Sequence, residues 1–178
     1  GVPLSEREVG LYYHGFSNRA LWPLFHDFPE KAVFAPEAYA AYERVNRRFA
    51  QTTLERGGPG AHVWVHDFHL MLVPHFLREL GFEGRIDFFL HVPFPPPEIF
   101  RVVPWRKALL RGLLAADSVG FHIRRYRDNF VRAARELVGA RDGGTGPRGG
   151  ELLCHERGET SALAVPIGID VDDFERIA

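Results

Sequence analysis

The chain has 178 residues, a formal net charge of −1 at neutral pH and 46% hydrophobic residues, which is typical of one soluble globular domain with a well-formed core. Because neither sign of charge dominates, a general nucleic-acid binder is not expected. The single cysteine, Cys154, cannot form an internal disulfide, and no apolar run approaches the length of a membrane span. We therefore expect a cytoplasmic protein with neither a nucleic-acid nor a membrane partner.

The first predicted element is a helix near the amino terminus, because Ser5 followed three residues later by Glu8 has the spacing of a capping box. It leads into residues 12–24, a run of aromatic and hydrogen-bonding side chains that ends near Pro23. Two interpretations stay open from the residues alone. The segment is either a packed aromatic turn or an aromatic wall for a sugar, since aromatic side chains with a polar tip serve both purposes.

A long helix is predicted over residues 36–56, where apolar side chains recur at helical spacing, and the glycine-rich cluster at 57–60 is expected to end it. The arginines of this helix lie away from its apolar face. Charged residues in this pattern usually face solvent, so we interpret them as a solvated surface rather than as a phosphate site.

The centre of the chain, residues 63–97, has the pattern of a strand, a helix and a second strand. The strand that ends at Asp67 and the strand that ends at His91 flank a helix predicted over residues 70–81. Such a βαβ unit makes its two strands parallel. Because parallel strands bring their carboxyl ends to one edge of the sheet, we expect Asp67 and His91 to face the same crevice, where open α/β sheets bind ligands.

Further helices and strands alternate along the rest of the chain. The predicted elements are a helix at 105–114, a strand at 118–122, a helix at 126–137, an exposed loop at 139–150, two strands at 151–154 and 161–166 around a turn, and a strand end that runs into a short helix at 167–172. This alternation predicts an α/β fold with a Rossmann-like, three-layer parallel sheet. The number of strands is low for a complete enzyme of this type, so we expect one incomplete domain.

Several polar residues of the central unit could carry chemistry. Asp67 is either the N-cap of the following helix or a carboxylate that faces a ligand, and one residue can do both. His91 precedes a proline-rich segment that stiffens the backbone, so it is either a histidine in a rigid turn or part of a preorganised site. His66, Asp67 and His69 would suit a metal hydrolase, but their spacing fits no defined motif, and neither a metal nor another cofactor is expected. The chain has no glycine-rich phosphate loop and no nucleophile elbow.

Four motifs in order along the chain resemble the trehalose-6-phosphate synthase family, the retaining glycosyltransferases of family 20. Residues 12–24 contain YYHGFSN and LWPL, similar to the family's YYNGFSN and LWPL, and residues 63–74 read VWVHDFHLMLVP, similar to VWVHDYHLMLLP. The segments FFLHVPFPPPEIFR at 88–101 and PWRKALLRGLLAADSVGF at 104–121 continue the match. The resemblance covers most of the chain and weakens between residues 140 and 161.

This resemblance implies the acceptor-side, N-terminal half of a GT-B fold. It also implies an enzyme that moves glucose from a nucleotide donor, usually UDP-glucose, onto glucose 6-phosphate without a metal. By position, Tyr13 and Trp22 resemble the aromatic residues that bind the acceptor, and Asp67 resembles the carboxylate that bonds its hydroxyl groups. His91 resembles the histidine beside the donor glucose, near the reacting carbon. Retention in this family is attributed to front-face attack, in which the leaving phosphate of the donor takes the acceptor proton, so the protein positions the substrates and stabilises charge.

The resemblance also implies parts that are not among residues 1–178. A first strand, with an arginine and a glycine loop, and a second domain that binds the donor diphosphate and ribose are expected elsewhere in the full-length protein. The 178 residues alone are therefore expected to lack appreciable transferase activity. Ile123 stands where the family usually has threonine, which removes a hydroxyl group from that position.

Three alternatives stay open from the sequence. One is a related synthase with another phosphorylated acceptor, such as a glucosylglycerol-phosphate synthase that uses glycerol 3-phosphate. Another is a non-catalytic regulatory or binding module, against which the presence of Tyr13, Trp22, Asp67 and His91 argues. The third is the metal hydrolase, which would bind zinc or manganese stoichiometrically. The expected partners are the two small-molecule substrates, and a homo-oligomer of the full-length protein is left open.

Overall fold

The computed structural model describes residues 1–58, 60–146, 149–168 and 176. The helices in this part of the chain are α1 (Glu6–Glu8), a π-helix (Val9–Leu21), α2 (Trp22–Phe25), α3 (Pro36–Gly57), α4 (Val73–Glu79), α5 (Pro97–Phe100), α6 (Arg106–Leu113) and α7 (Arg124–Val138), with short 3-10 helices at Pro29–Lys31 and Phe68–Leu70. The strands are β1 (Val63–His66), β2 (Ile86–Leu90), β3 (Ser118–Phe121), β4 (Arg141–Thr145), β5 (Glu151–His155) and β6 (Gly158–Ala164). Within these ranges no helix is long and apolar enough to cross a membrane.

The strands form one sheet with the order β1-β2-β3-β6-β5-β4. β1, β2, β3 and β6 are parallel neighbours, whereas β5 and β4 continue the sheet as an antiparallel edge. In the parallel part, Val65 lies opposite Phe88, and Phe88 lies opposite Val119. The α/β fold with a Rossmann-like sheet that the sequence predicts is therefore confirmed.

The parallel strands bury one of their two faces beneath helices. Val65, Phe88 and Phe121 are at most 4% exposed, and they belong to one core with Phe76 of α4 and Phe130 of α7. Right-handed crossovers that all run in the same direction along a sheet place their helices on the same side. The described residues therefore form two of the three predicted layers, which are the sheet and the helices on one of its faces. Helices that would cover the other face are not among the described residues.

Two segments near the carboxyl end differ from the prediction or extend beyond the described residues. Residues 139–150, predicted as an exposed loop, contain β4, in which Arg141 pairs with Cys154 of β5. All of β4 is exposed, so the segment has no alternating apolar pattern that could have revealed it. The strand end and short helix predicted at 167–172 lie mostly outside the described residues, and residues 167–168 follow β6 without regular secondary structure.

The capping box predicted at the amino terminus is confirmed. The backbone N–H of Glu8 donates to the Ser5 hydroxyl at 3.3 Å, and the backbone N–H of Ser5 donates to the Glu8 carboxylate at 2.9 Å. The hydrogen bond from the Ser5 backbone, and then the guanidinium of Arg48, lower the pKa of Glu8 to about 2. Because Arg48 lies on α3 and is 2.6 Å from the Glu8 carboxylate, this ion pair ties the first helix to α3.

The predicted aromatic segment is helical, so its interpretation as a packed turn is wrong. Most of it forms the π-helix, in which backbone hydrogen bonds join residues five apart, a geometry that is frequent at functional sites. Tyr12 and Phe16 are buried, whereas Tyr13 and Trp22 are 43% and 47% exposed. One side of the segment is thus part of the core, and the other side presents two large aromatic rings.

Candidate functional site

The turn after β1 holds Asp67 in a strained backbone conformation. Its φ is +71° and its ψ is 166°, a combination that is essentially restricted to glycine and that clusters at active sites and ligand clamps in other residues. The surrounding backbone fixes this conformation. The N–H of Asp67 donates to the carbonyl of Phe89 at 2.8 Å, and the N–H of Leu70 donates to the carbonyl of Asp67 at 3.1 Å.

The side chain of Asp67 faces the end of the neighbouring strand. Its Oδ1 accepts the backbone N–H of His91 at 3.2 Å, so the two strand ends lie side by side, as the βαβ pattern predicts. Oδ2 accepts no hydrogen bond from any described residue and is available to a ligand. Asp67 occupies the N-cap position of the 3-10 helix Phe68–Leu70, but its side chain makes no capping hydrogen bond, and α4 begins only at Val73.

Two buried polar side chains of α3 hold the backbone that follows Asp67. The hydroxyl of Tyr42 donates to the carbonyl of Phe68 at 2.6 Å and accepts the N–H of Met71 at 3.0 Å. The side chain of Asn46 makes the same pair of contacts one residue further along, at 3.0 and 3.1 Å. Both residues are fully buried. Sequence reasoning missed them, and the one available signal was a polar asparagine among the apolar positions of the predicted helix.

The exposed aromatic rings of the first helical segment pack beside the same turn. Tyr13 stacks on the imidazole of His69, with ring centroids 5.3 Å apart and an interplanar angle of 12°. The centroid of Trp22 is 5.7 Å from that of Phe68. Tyr13 and Trp22 therefore border the turn through His69 and Phe68, the two residues that follow Asp67.

Three histidines form a row across the carboxyl ends of β1, β2 and β3. Nδ1 of His66 is 2.9 Å from Nε2 of His91, and the ring centroids of His91 and His122 are 5.6 Å apart. Burial, and then the proximity of His91, lower the pKa of His66. The sequence signal for this row is a histidine at or next to the end of three predicted strands, and the sequence analysis did not group these residues.

A cavity of about 430 Å³ lies along the face of the sheet that the described helices do not cover. Besides the histidine row, its lining includes Trp64, Phe89 and Val165. Of the four predicted site residues, His91 lines this cavity, whereas Tyr13, Trp22 and Asp67 do not. The structure therefore brings the four residues to one edge of the sheet without giving them a shared cavity. Asp67 is joined to His91 through a backbone hydrogen bond, and the two aromatic rings contact the residues that follow Asp67.

The metal interpretation finds no ligand set in the described part of the chain. No group of three or more histidine, cysteine, aspartate or glutamate side chains there is arranged so that it could hold a metal ion. His66 contacts the ring of His91, and Asp67 accepts the backbone N–H of the same residue, whereas His69 stacks on Tyr13 instead.

A largely parallel α/β sheet, with a carboxylate on a strained turn, imidazoles and exposed aromatic rings at its carboxyl edge, belongs to the Rossmann-like class, in which ligands bind at that edge. The model of the family described as glycosyltransferase family 20 matches residues 1–178. The chain is 44% identical, over 181 residues, to a trehalose-6-phosphate synthase of Mycobacterium avium (strain 104), which covers 99% of this chain and 37% of that protein.

Solved structures are similar over almost the whole chain. An α,α-trehalose-phosphate synthase (UDP-forming) of Burkholderia vietnamiensis superposes with a TM-score of 0.90 at 35% identity, covering 97% of this chain and 36% of that one. The enzyme of the same description from Burkholderia xenovorans, in complex with glucose 6-phosphate, gives a TM-score of 0.89 at 30% identity, covering 98% of this chain and 38% of that one. The chain belongs to glycosyltransferase family 20. It spans about 37% of the length of the curated relative from Mycobacterium avium.

Proposed function

We propose that this chain is the acceptor-side domain of a retaining glucosyltransferase. In the full-length protein it would transfer glucose from UDP-glucose to glucose 6-phosphate and form trehalose 6-phosphate. The observation that carries this proposal is the Asp67 turn, in which a strained backbone presents a carboxylate at the edge where parallel sheets bind ligands. The descriptions of the relatives, which include a glucose 6-phosphate complex, support the choice of substrates.

In this proposal each predicted site residue has a separate role toward the substrates. Asp67 Oδ2 accepts a hydrogen bond from an acceptor hydroxyl, while its Oδ1 stays bonded to the backbone of the next strand end. Tyr13 and Trp22 form an apolar wall for the acceptor ring, to which their exposed faces are suited. His91, which lines the cavity, contacts the donor glucose.

In this mechanism the four residues position the two substrates and form no covalent bond with them. The acceptor hydroxyl attacks the anomeric carbon on the face from which the nucleoside diphosphate departs, and the departing phosphate oxygen takes the hydroxyl proton. A carboxylate and an imidazole on adjacent strand ends hold the two sugars in reach of one another, which converts a bimolecular step into an effectively unimolecular one. A second domain of the full-length protein supplies the contacts to the donor diphosphate and ribose. We further propose that the protein is cytoplasmic, which its single cysteine supports.

The direct test is a transferase assay of the full-length protein with UDP-, ADP- and GDP-glucose as donors. Glucose 6-phosphate and glycerol 3-phosphate are compared as acceptors, and the stereochemistry of the product is read by NMR. We expect turnover with glucose 6-phosphate and an α,α-linked product. Exclusive use of glycerol 3-phosphate would replace the acceptor in this proposal, and the absence of turnover with every pair would contradict a transferase.

The 178-residue chain, assayed alone under the same conditions, is expected to be inactive. The reason is that the proposal assigns the donor diphosphate to a domain outside these residues. Turnover of UDP-glucose and glucose 6-phosphate by this chain, above that of a heat-treated sample, would contradict this division of roles.

A further inference from the structure

His66 and His91 share one hydrogen bond and therefore one proton. Nδ1 of His66 faces Nε2 of His91 at 2.9 Å, and between two imidazoles one nitrogen must donate while the other accepts. The hydrogen bond made by one ring nitrogen of a histidine fixes the protonation of the other. The bond at Nε2 of His91 thus determines whether its Nδ1, the nitrogen left to a substrate, is a donor or an acceptor.

Packing fixes the orientation of the two rings as well. Their centroids are 5.2 Å apart with an interplanar angle of 26°. The ring centroid of Trp64 is 4.5 Å from that of His66, and the ring centroid of Phe89 is 4.8 Å from that of His91. Neither imidazole has another hydrogen-bond partner among the described residues. Within this part of the chain, the hydrogen bond from His66 therefore determines which way the ring nitrogens of His91 point.

We propose that His66 is a positioning residue that holds the imidazole of His91 in the orientation and tautomer with which His91 contacts the nucleotide-sugar donor. This inference rests on the proposed function, because it takes the donor contact of His91 from there. His66 itself touches no substrate in this arrangement and acts only through the ring of His91. The motif at residues 63–74 contains this histidine, but the motif alone assigns it no partner.

The protonation of the His66–His91 pair is expected to change at acidic pH. The ionisable groups around it are the carboxylates of Asp67 and Asp87 and the imidazole of His122. Burial and the neighbouring His91 lower the pKa of His66, against the weaker opposite effect of Asp67, so the His66 ring is neutral at neutral pH and either imidazole can be the donor. As the pH falls through this lowered pKa, His66 becomes a cation whose two ring nitrogens can only donate. Nε2 of His91 must then accept, and Nδ1 of His91 must carry the proton of that ring.

The test compares two variants of His66 in the full-length protein. His66→Asn keeps a polar atom near the position of Nδ1, whereas His66→Phe keeps a ring and removes the hydrogen bond. His66 is solvent-exposed, so both variants are expected to fold, which thermal unfolding checks. His62→Asn is the matched control, because His62 is also exposed and pairs with Asp87 rather than with the histidine row.

We expect His66→Phe to lower kcat/KM for the donor by about 2- to 10-fold, the size of one net hydrogen bond, with an unchanged KM for glucose 6-phosphate. His66→Asn should restore at least half of the wild-type value and should shift the acid side of the pH profile, while His62→Asn should match wild type in both. Equal effects of the phenylalanine and asparagine variants, or donor kinetics of His66→Phe that equal those of His62→Asn, would overturn the inference.

A readout independent of turnover separates this inference from the proposed function. In protein labelled with ¹⁵N-histidine, the ring nitrogen shifts of His91 report its tautomer, and we expect them to change in His66→Phe and to be retained in His62→Asn. Unchanged shifts in His66→Phe overturn the inference even if the enzyme is a transferase. Changed shifts in a full-length protein without any transferase activity show that the hydrogen bond exists but that the proposed function, and the donor role derived from it, are wrong.

Discussion

Replacing Asp67 with glycine in the full-length protein is expected to lower kcat/KM for the acceptor by about 100-fold, because a misplacement of the reacting group by about 1 Å has an effect of this size. The variant removes the carboxylate whose free oxygen would orient an acceptor hydroxyl. Asp67→Ala removes the same carboxylate and is expected to lose the same activity. Steady-state kinetics with varied glucose 6-phosphate measure both losses.

The two variants are expected to differ in stability rather than in activity. The backbone of Asp67, at φ +71° and ψ 166°, is strained by about 1–3 kcal/mol in any residue but glycine. Glycine adopts this conformation without strain, but its greater freedom in the unfolded chain costs about 0.5–1 kcal/mol of stability relative to alanine. Asp67→Gly should therefore unfold at a higher temperature than Asp67→Ala.

Asp27 provides the matched control for this comparison, since it is exposed and its φ of +62° is also positive. Asp27→Gly is expected to leave kcat/KM unchanged. If Asp67→Gly keeps more than half of the wild-type kcat/KM, Asp67 does not belong to the site. If the alanine and glycine variants are equally stable, the strain assigned to the turn is absent.

Replacing Tyr42 with phenylalanine is expected to destabilise the protein by about 2–6 kcal/mol, because the loss of one hydroxyl leaves two buried backbone groups without partners and each costs about 1–3 kcal/mol. These groups are the carbonyl of Phe68 and the N–H of Met71. Burial raises the pKa of Tyr42 well above its ordinary value, so the hydroxyl keeps the proton that it donates. Thermal unfolding measures the loss.

The same substitution is expected to lower activity in the protein that remains folded, because Tyr42 fixes the backbone that follows Asp67. Tyr39→Phe is the control, since Tyr39 is also nearly buried on α3 and its hydroxyl makes no hydrogen bond with a described residue. It should change neither the stability nor the kinetics appreciably. A Tyr42→Phe protein as stable as Tyr39→Phe would show that the contacts to the turn contribute little.

The sequence predicted the part of the fold that depends on local patterns. The strand, helix and strand between residues 63 and 97 follow from periodicity and turn signals, and parallel pairing alone brings Asp67 beside His91. β4 could not be predicted, because its exposed residues carry no periodic pattern and its strand conformation comes from pairing with β5.

The site was predicted less completely than the sheet, since several of its contacts join residues far apart in the chain. Tyr42 and Asn46 lie more than 20 residues before the turn that they hold, and within a predicted helix they look like ordinary members of an amphipathic pattern. The strain at Asp67 is a backbone property that no letter in the sequence indicates. The histidine row required the register of three strands, which the sequence does not supply.

A crystal structure of the full-length protein with glucose 6-phosphate and UDP tests the central assignment most directly. We expect a hexose ring beside Tyr13 and Trp22, with one of its hydroxyl groups within about 3 Å of Asp67 Oδ2, and the imidazole of His91 turned toward the space for the donor sugar. A hexose phosphate bound away from the end of β1, with Asp67 facing only protein or solvent, would contradict it.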